Sequence, residues 1–496
     1  MKRQFWKDLN FIEIVIIGLI TLMFAGLYFH SSTQGTYQLI DYRQGTYYKA
    51  LALQFEKGML GSPDLIGGDW LHYKGLYYLY FGPFPAFVWL FLKNVGFVTS
   101  FTALTLLSSI VNLILFYILL FKLSKQIIVN KLNLFWFRIV GHILYGFGPL
   151  YFIASRYFIY ETAIVIGSTL LLLVVLSILP YSFGKSQTVL KKSILFGCAG
   201  LLLGAVVLTR INLILTVLPI LGIIIWREYF LSKDIQSIKI FRSWFFMSLV
   251  IIPVALSVWG MTLYNTARFG SPTEFGIKYS IIGSDHSEVA QRVRENKMTG
   301  LSYLALNTIQ LAVLRPFWTN EDHHIVYYNR PGWLIGSYPR LVDDEFVSSI
   351  FFSSPLLLFF VYTLFVIRKN KKNSALVLIL IAFLVSAYIY GGLSMAYARR
   401  YIQDYYAFLI LLTFAGMVLF WKDYIVQQKK QIQYVVVGVV CLLIIFTAVI
   451  AFNLNCQVAF TLDMKRCVNI YNLPPTFEPL SNLLFIPKSG SIHTNI

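Results

Sequence analysis

Three carboxylates and four arginines are notable for where they fall. Asp41 comes soon after an apolar run, in QLIDYRQGTYY, Glu161 opens another, in YFIYETA, and Asp69 lies between them, in GGDWLHYKG. A carboxylate at a membrane boundary can act as a general base toward a hydroxyl nucleophile. It can equally cap a helix or pair with a cation, and Glu161 can serve simply as the first-turn acid of its helix. Arg156 lies in IASRYFIYETA, Arg210 in LTRIN, and Arg399 and Arg400 are adjacent in SMAYARRYIQD. Arginine near hydrocarbon is costly and usually marks a partner or a pathway. Its planar fork also matches phosphate oxygens bidentately. Four such residues at one boundary suit capture of an anionic head group; the plainer alternative is that each snorkels to the interface or pairs with a nearby acid.

Other chemistries lack support. The seven histidines include no HExxH, and no Cys/His spacing suits zinc. His323 and His324 stand beside Glu321 and Asp322, but adjacent side chains rarely ligate one ion. No P-loop and no GxSxG nucleophile elbow occurs. No metal or cofactor is identified from these residues, and a need for a divalent metal is left open.

The elements that must hold these residues are membrane helices. Hydrophobic residues make up 57% of the 496, charged residues 13%, and mean hydropathy is +0.68. A soluble domain needs roughly a quarter charged residues to cover its surface, so much of this surface faces lipid. The net charge of +19 falls in short runs between apolar segments, which argues for membrane loops over a nucleic-acid partner. Apolar runs near 11–29, 99–121, 133–154, 162–180, 194–209, 211–226, 243–264, 351–367, 375–392, 403–421 and 434–452 predict an all-α bundle of about eleven spanning helices. The first follows Lys2, Arg3 and Lys7 and is too long for a signal-peptide core, so it is expected to be retained.

Lys122, Lys125 and Lys131 form the first basic loop, then Lys185, Lys191 and Lys192, then Arg227, Lys233, Lys239 and Arg242. Arg368, Lys369, Lys371 and Lys372 follow, and last Lys422, Lys429 and Lys430. A cytoplasmic N-terminus places all of them inside. The segment Phe81–Phe97 would reverse that order if it spanned. Gly82, Pro83 and Pro85 break its start and Lys93 interrupts its end, so it reads as a re-entrant or interfacial helix on the outer face. The chain then divides into a module at 1–264 with a first outer loop at 30–98, a long outer loop at 265–350, C-terminal helices at 351–452, and an outer tail at 453–496. In the long loop, residues 288–313 alternate at helical spacing and suit either an interfacial helix or a plain connector. Four cysteines are too few for a disulfide framework. Cys198 and Cys441 fall in apolar spans, while Cys456 and Cys467, in the outer tail, are either one disulfide or two free thiols.

An acid just after the first span, a proline-broken outer helix, a basic loop after the second span and an acid in the second outer loop together resemble the GT-C superfamily. These are polytopic glycosyltransferases that use lipid-linked sugars. The nearest likeness is to bacterial members of glycosyltransferase family 39, similar to protein O-mannosyltransferases and the aminoarabinose transferases of lipid A. It is clearest over residues 1 to about 230, and YKGLYYLYFGPFPAF, NTARFGSPTEFGIKY and ARRYIQDYYAFL are further local phrases of the same kind. The resemblance implies a GT-C-like bundle in a bacterial plasma membrane and a polyprenyl-phosphate sugar donor. The acceptor would be a protein, a lipid or a cell-wall polymer. Asp41 matches the family's base, while Arg156 and Glu161 match its second-loop arginine and acid, with Glu in place of the commoner Asp. Arg399, Arg400 and Arg210 would stabilise the departing phosphate, Lys74, Tyr78 and Asp69 would contact substrate from the first loop, and the anomeric carbon would invert. Two other readings differ in kind: a lipid-linked polysaccharide polymerase or ligase, whose key loop lies late in the chain, and a transporter without chemistry.

Overall fold

Backbone in a bilayer core has no water to bond, so an apolar run must satisfy its own amides as helix. The computed structural model describes residues 2–33, 37–39, 47–64, 70–97, 100–124, 131–155, 159–182, 188–222 apart from 215 and 219, 237–280, and 349–459 apart from 370–373 and 393–398, with short pieces between 295 and 326. The helices before the long loop include α1 Lys2–Ser32, α2 Tyr47–Glu56, α3 Phe84–Asn94, α4 Phe101–Ser124, α5 Lys131–Gly146, α6 Pro149–Ser155, α7 Ile159–Ser182, α8 Val189–Thr209 and α9 Ser237–Phe269. Beyond the long loop lie α10 Ile350–Ser353, α11 Phe359–Lys369, α12 Ser374–Gly392, α13 Gln403–Phe420 and α14 Lys430–Ala459. The 288–313 stretch and the Cys456–Cys467 pair fall largely outside the described residues.

Of the eleven expected spans, seven have counterparts among the described residues that are long and apolar enough to cross a membrane: Phe11–Ser32, Phe101–Ser124, Tyr160–Ile178, Val189–Thr209, Trp244–Phe269, Gln403–Ile425 and Lys430–Ala451. An eighth, 375–392, is the 19-residue helix α12. The other three runs are shorter for visible reasons. The run at 133–154 is cut at Phe147-Gly148 before Pro149, whose ring removes a helix N–H, leaving α5 and α6. The run at 351–367 is cut at Ser354-Pro355 into α10 and α11, and Ile211–Gly222 is a shorter apolar helix. Helix α9 continues to Phe269.

Helix α13 sits at the centre: residues Gln403 through Val418 are all buried, with α5, α11 and α12 packed around it. A row of α1, α4, α7, α8 and α9 lies alongside. Close approach sets two crossings. A Cβ at Gly416 would overlap the Phe359 carbonyl oxygen and meet Thr363 Oγ1 at 2.9 Å, so α11 seats directly on α13. A Cβ at Gly200 would overlap the Leu249 carbonyl, joining α8 to α9. Gly416→Ala is therefore expected to cost about 1–3 kcal/mol by overpacking. Gly438→Ala, whose Cβ meets nothing within 4 Å, is expected to be neutral; melting curves in detergent compare the two.

At the end of the bundle that the charge pattern assigns to the cytoplasm, three helices share a buried ion pair. Arg138 of α5 bonds both oxygens of Glu13 of α1 through Nε and Nη2. Its Nη1 donates to Ser124 Oγ at 2.9 Å, and Tyr117 of α4 donates to Glu13 Oε1 at 2.7 Å.

At the opposite end, α3 has 11 residues, about 16 Å of helix against a core of about 30 Å. It cannot span, in agreement with the reading of Phe81–Phe97. Pro83 and Pro85 flank its first residue, where a missing N–H is harmless. The chain enters it against the last turn of α8, where a Cβ at Gly82 would overlap Leu208 O and lie 2.8 Å from Thr209 O. The hairpin of β1 (Leu71–Tyr73) and β2 (Leu76–Tyr78) precedes it, with Lys74 at φ 49° and Gly75 at φ 78° in the tight turn.

Candidate functional site

Helix α8 stops at Thr209, and Arg210 turns extended before a 3-10 turn over Ile211–Leu213. That turn aims Arg210 at the head of α13, where its Nη1 donates to Asp404 Oδ2 at 2.6 Å. Both side chains are buried, and the ring of Tyr401 lies 5.5 Å from the guanidinium. Charges this dry are costly alone, so each holds the other in its ionised form and place. The second Asp404 oxygen, Oδ1, accepts no hydrogen bond among the described residues.

Glu161 stands in the first turn of α7 and is fully buried. Its neighbours tie it to both sides. Tyr160 OH accepts from Tyr80 OH at 2.9 Å, on the strand leaving the hairpin, and Thr162 Oγ1 lies 2.6 Å from Thr105 Oγ1 of α4. The 3-10 turn Arg399–Ile402 packs against α6 and α7. Segments far apart in sequence thus lie at one end of the bundle: the Arg210–Asp404 pair, the backbone of the Arg399–Ile402 turn, and α7, whose first turn carries Glu161. Asp41, Asp69 and Arg156 lie outside the described residues, as do the side chains of Arg399 and Arg400.

Lys74 and Tyr78 fall beside this group. Lys74 is exposed at the hairpin tip, 5.3 Å from the Tyr73 ring centre. Tyr78 is buried against Phe269, ring centres 5.3 Å apart. Burial lifts its phenol above the ordinary range while Arg268 pulls it down. Arg268, at the end of α9, is itself buried. It donates to Leu79 O and to Asn265 Oδ1 at 2.6 Å and stacks 3.9 Å from the Tyr264 ring. No carboxylate pairs with it among the described residues. Tyr48 of α2 is buried against Phe101, ring centres 5.9 Å apart. Burial raises its phenol well above its usual value, Arg210 lowers it and Tyr264 raises it further.

Asp404, Arg268 and Tyr48 were not singled out from the sequence. Asp404 carried a signal, being a first-turn acid four residues past Arg400. Arg268 carried another, a cation at the end where the positive-inside pattern expects few. Tyr48 carried none. No group of three or more His, Cys, Asp or Glu that could hold a metal ion occurs among the described residues.

The long apolar helices, closed around α13, define an α-helical polytopic membrane protein. Among solved structures, the chain is similar to ArnT from Cupriavidus metallidurans bound to undecaprenyl phosphate, at 12% identity and TM-score 0.47, over 92% of this chain and 77% of that one. It is also similar to the archaeal oligosaccharyltransferase AglB from Archaeoglobus fulgidus in complex with an inhibitory peptide and a dolichol-phosphate, at 12% identity and TM-score 0.45, over 88% of this chain and 56% of that one. No family model and no curated protein matches the chain.

Proposed function

We propose that this protein is a membrane glycosyltransferase that moves a sugar from a polyprenyl-phosphate donor to an acceptor at the outer face, with inversion at the anomeric carbon. The observation that supports the reading is the Arg210–Asp404 pair at the head of α13, with the Arg399–Ile402 turn just before it packed against α7, whose first turn carries Glu161. It joins the sequence resemblance of the first 230 or so residues to the later phrase ARRYIQDYYAFL.

On this reading Asp41 takes the proton of an acceptor hydroxyl, whose oxygen attacks the anomeric carbon. The bond to phosphate breaks and its electron pair leaves on the polyprenyl phosphate. That anion is stable without a proton, so the site needs positive charge and no general acid, unlike the paired carboxylates of glycoside hydrolases. Arg399 and Arg400 supply charge, with Arg210 held ready by Asp404. Buried Arg268 and the tip residue Lys74 add cations on the same side, and Arg156 and Asp69 complete the contacts expected from the loops. Glu161 orients the acceptor or the neighbours of Asp41. The acceptor is a protein, a lipid or a wall polymer.

Ligand binding stabilises the state that binds, by about 2.7 kcal/mol at a hundredfold excess over Kd, and so raises its melting point. Undecaprenyl phosphate is expected to raise the melting point of the wild type by an amount that grows with the logarithm of its concentration, and Arg399→Ala/Arg400→Ala to lose that shift. Asp41→Asn is expected to keep the shift while turnover of a lipid-linked sugar falls roughly 10²–10⁴-fold. Absence of any shift in the wild type would count against a transferase and favour transport. Full turnover in Asp41→Asn would favour a polymerase or ligase.

A further inference from the structure

Gln403, the first residue of α13, is fully buried among three other helices. Its Nε2 donates to Tyr145 OH of α5 at 2.8 Å and reaches Ser168 Oγ of α7 at 3.3 Å. Tyr145 OH donates in turn to Asn112 Oδ1 of α4. Asn112 Nδ2 donates to Thr169 Oγ1 at 3.1 Å and to Val165 O at 3.4 Å. The Tyr145 ring is held between Phe116 and Tyr406, with centres 4.0 and 6.1 Å away. One amide therefore gathers α4, α5 and α7 onto the start of α13.

An apolar side chain would fill this position without the desolvation that a buried amide incurs. Buried polar networks of this kind set geometry more than they add stability. The geometry at stake is next door. Gln403 is followed by Asp404, which meets Arg210, and preceded by the turn that carries Arg399 and Arg400. No side-chain cap fixes the head of α13, whose N-cap is Ile402. A slip of one residue would turn Asp404 by about 100° and shift it about 1.5 Å along the axis, enough to separate it from Arg210.

We propose that Gln403 is a positioning residue, which through Tyr145 and Ser168 holds the Arg399–Arg400 turn and Asp404 in the register that receives the donor phosphate. This role rests on the transferase reading. The test uses the full chain in lipid nanodiscs with undecaprenyl phosphate as the probe. Three quantities are read: its Kd, the melting point of the unliganded protein, and the phosphorus resonance of the bound lipid. The variants are Gln403→Leu, Tyr145→Phe and Ser168→Ala. Thr21→Val is the control, since it deletes a partly buried contact of 3.1 Å to His142 between α1 and α5.

Tyr145→Phe is expected to weaken binding about tenfold, the equivalent of one well-placed hydrogen bond, and to move the phosphorus resonance. Thr21→Val is expected to lower the melting point and change neither. Wild-type affinity and resonance in both Tyr145→Phe and Ser168→Ala would overturn the role, and so would an equal loss of affinity in Thr21→Val. If Gln403→Leu does not fold, the two milder variants decide. Failure of the wild type to bind undecaprenyl phosphate would remove the transferase reading and this role together. Wild-type binding with unaffected variants would remove this role alone.

Discussion

Asp404→Ala is expected to destabilise the protein by about 3–5 kcal/mol, because it removes a buried carboxylate that pairs with a buried guanidinium. The pair it breaks is short, 2.6 Å between Arg210 Nη1 and Asp404 Oδ2, and buried on both sides. The double replacement Arg210→Met/Asp404→Leu behaves differently. It removes both charges and fills the space with apolar atoms, an exchange that is often neutral or stabilising. It should melt near the wild type, yet fail to bind undecaprenyl phosphate with full affinity. Melting curves and titrations on the two proteins separate fold from function. A double variant that binds normally would remove Arg210 from the proposed phosphate site.

The second large effect lies at the other end of the bundle. Arg138→Met is expected to cost about 3–5 kcal/mol as well, since it leaves Glu13 buried among α1, α4 and α5. Arg138→Lys keeps the charge but loses the bidentate fork, and should fall between Arg138→Met and the wild type. Glu13→Gln/Arg138→Met should recover much of the loss. The variants that fold are expected to bind undecaprenyl phosphate as the wild type does, because this pair is remote from Arg210. Thermal melts followed by binding titrations check both statements. A binding defect in a folded Arg138 variant would show that the two ends are linked.

The pattern of long apolar runs and basic loops carried most of the helix positions, including the reading of α3 as too broken to span. Two interruptions were legible as well, at Gly148-Pro149 and Ser354-Pro355, but hydropathy averages over single residues and counts such runs as whole spans. The pairings were not legible. Arg210 and Asp404 are 194 residues apart, and Glu13 and Arg138 are 125 apart. No local periodicity joins residues at that distance; only the packing of α13 and α5 does. Gln403 escaped notice for a related reason. One polar residue at the start of an apolar run looks like a boundary, and its burial depends on three helices that close over it. Glu161 and Arg210 could be singled out because a charge at the edge of an apolar run contrasts with its surroundings, whatever folds around it.

The distance between paired charges also has a meaning in time. Arg210 leaves the ribosome 194 residues before Asp404, and Glu13 leaves it 125 residues before Arg138. At roughly 5–20 residues per second, those gaps last about 10–40 s and 6–25 s. During each interval one member of the pair waits for the other. Arg210 gains its Asp404 contact only once the head of α13 has been made, so this end of the bundle closes late in synthesis.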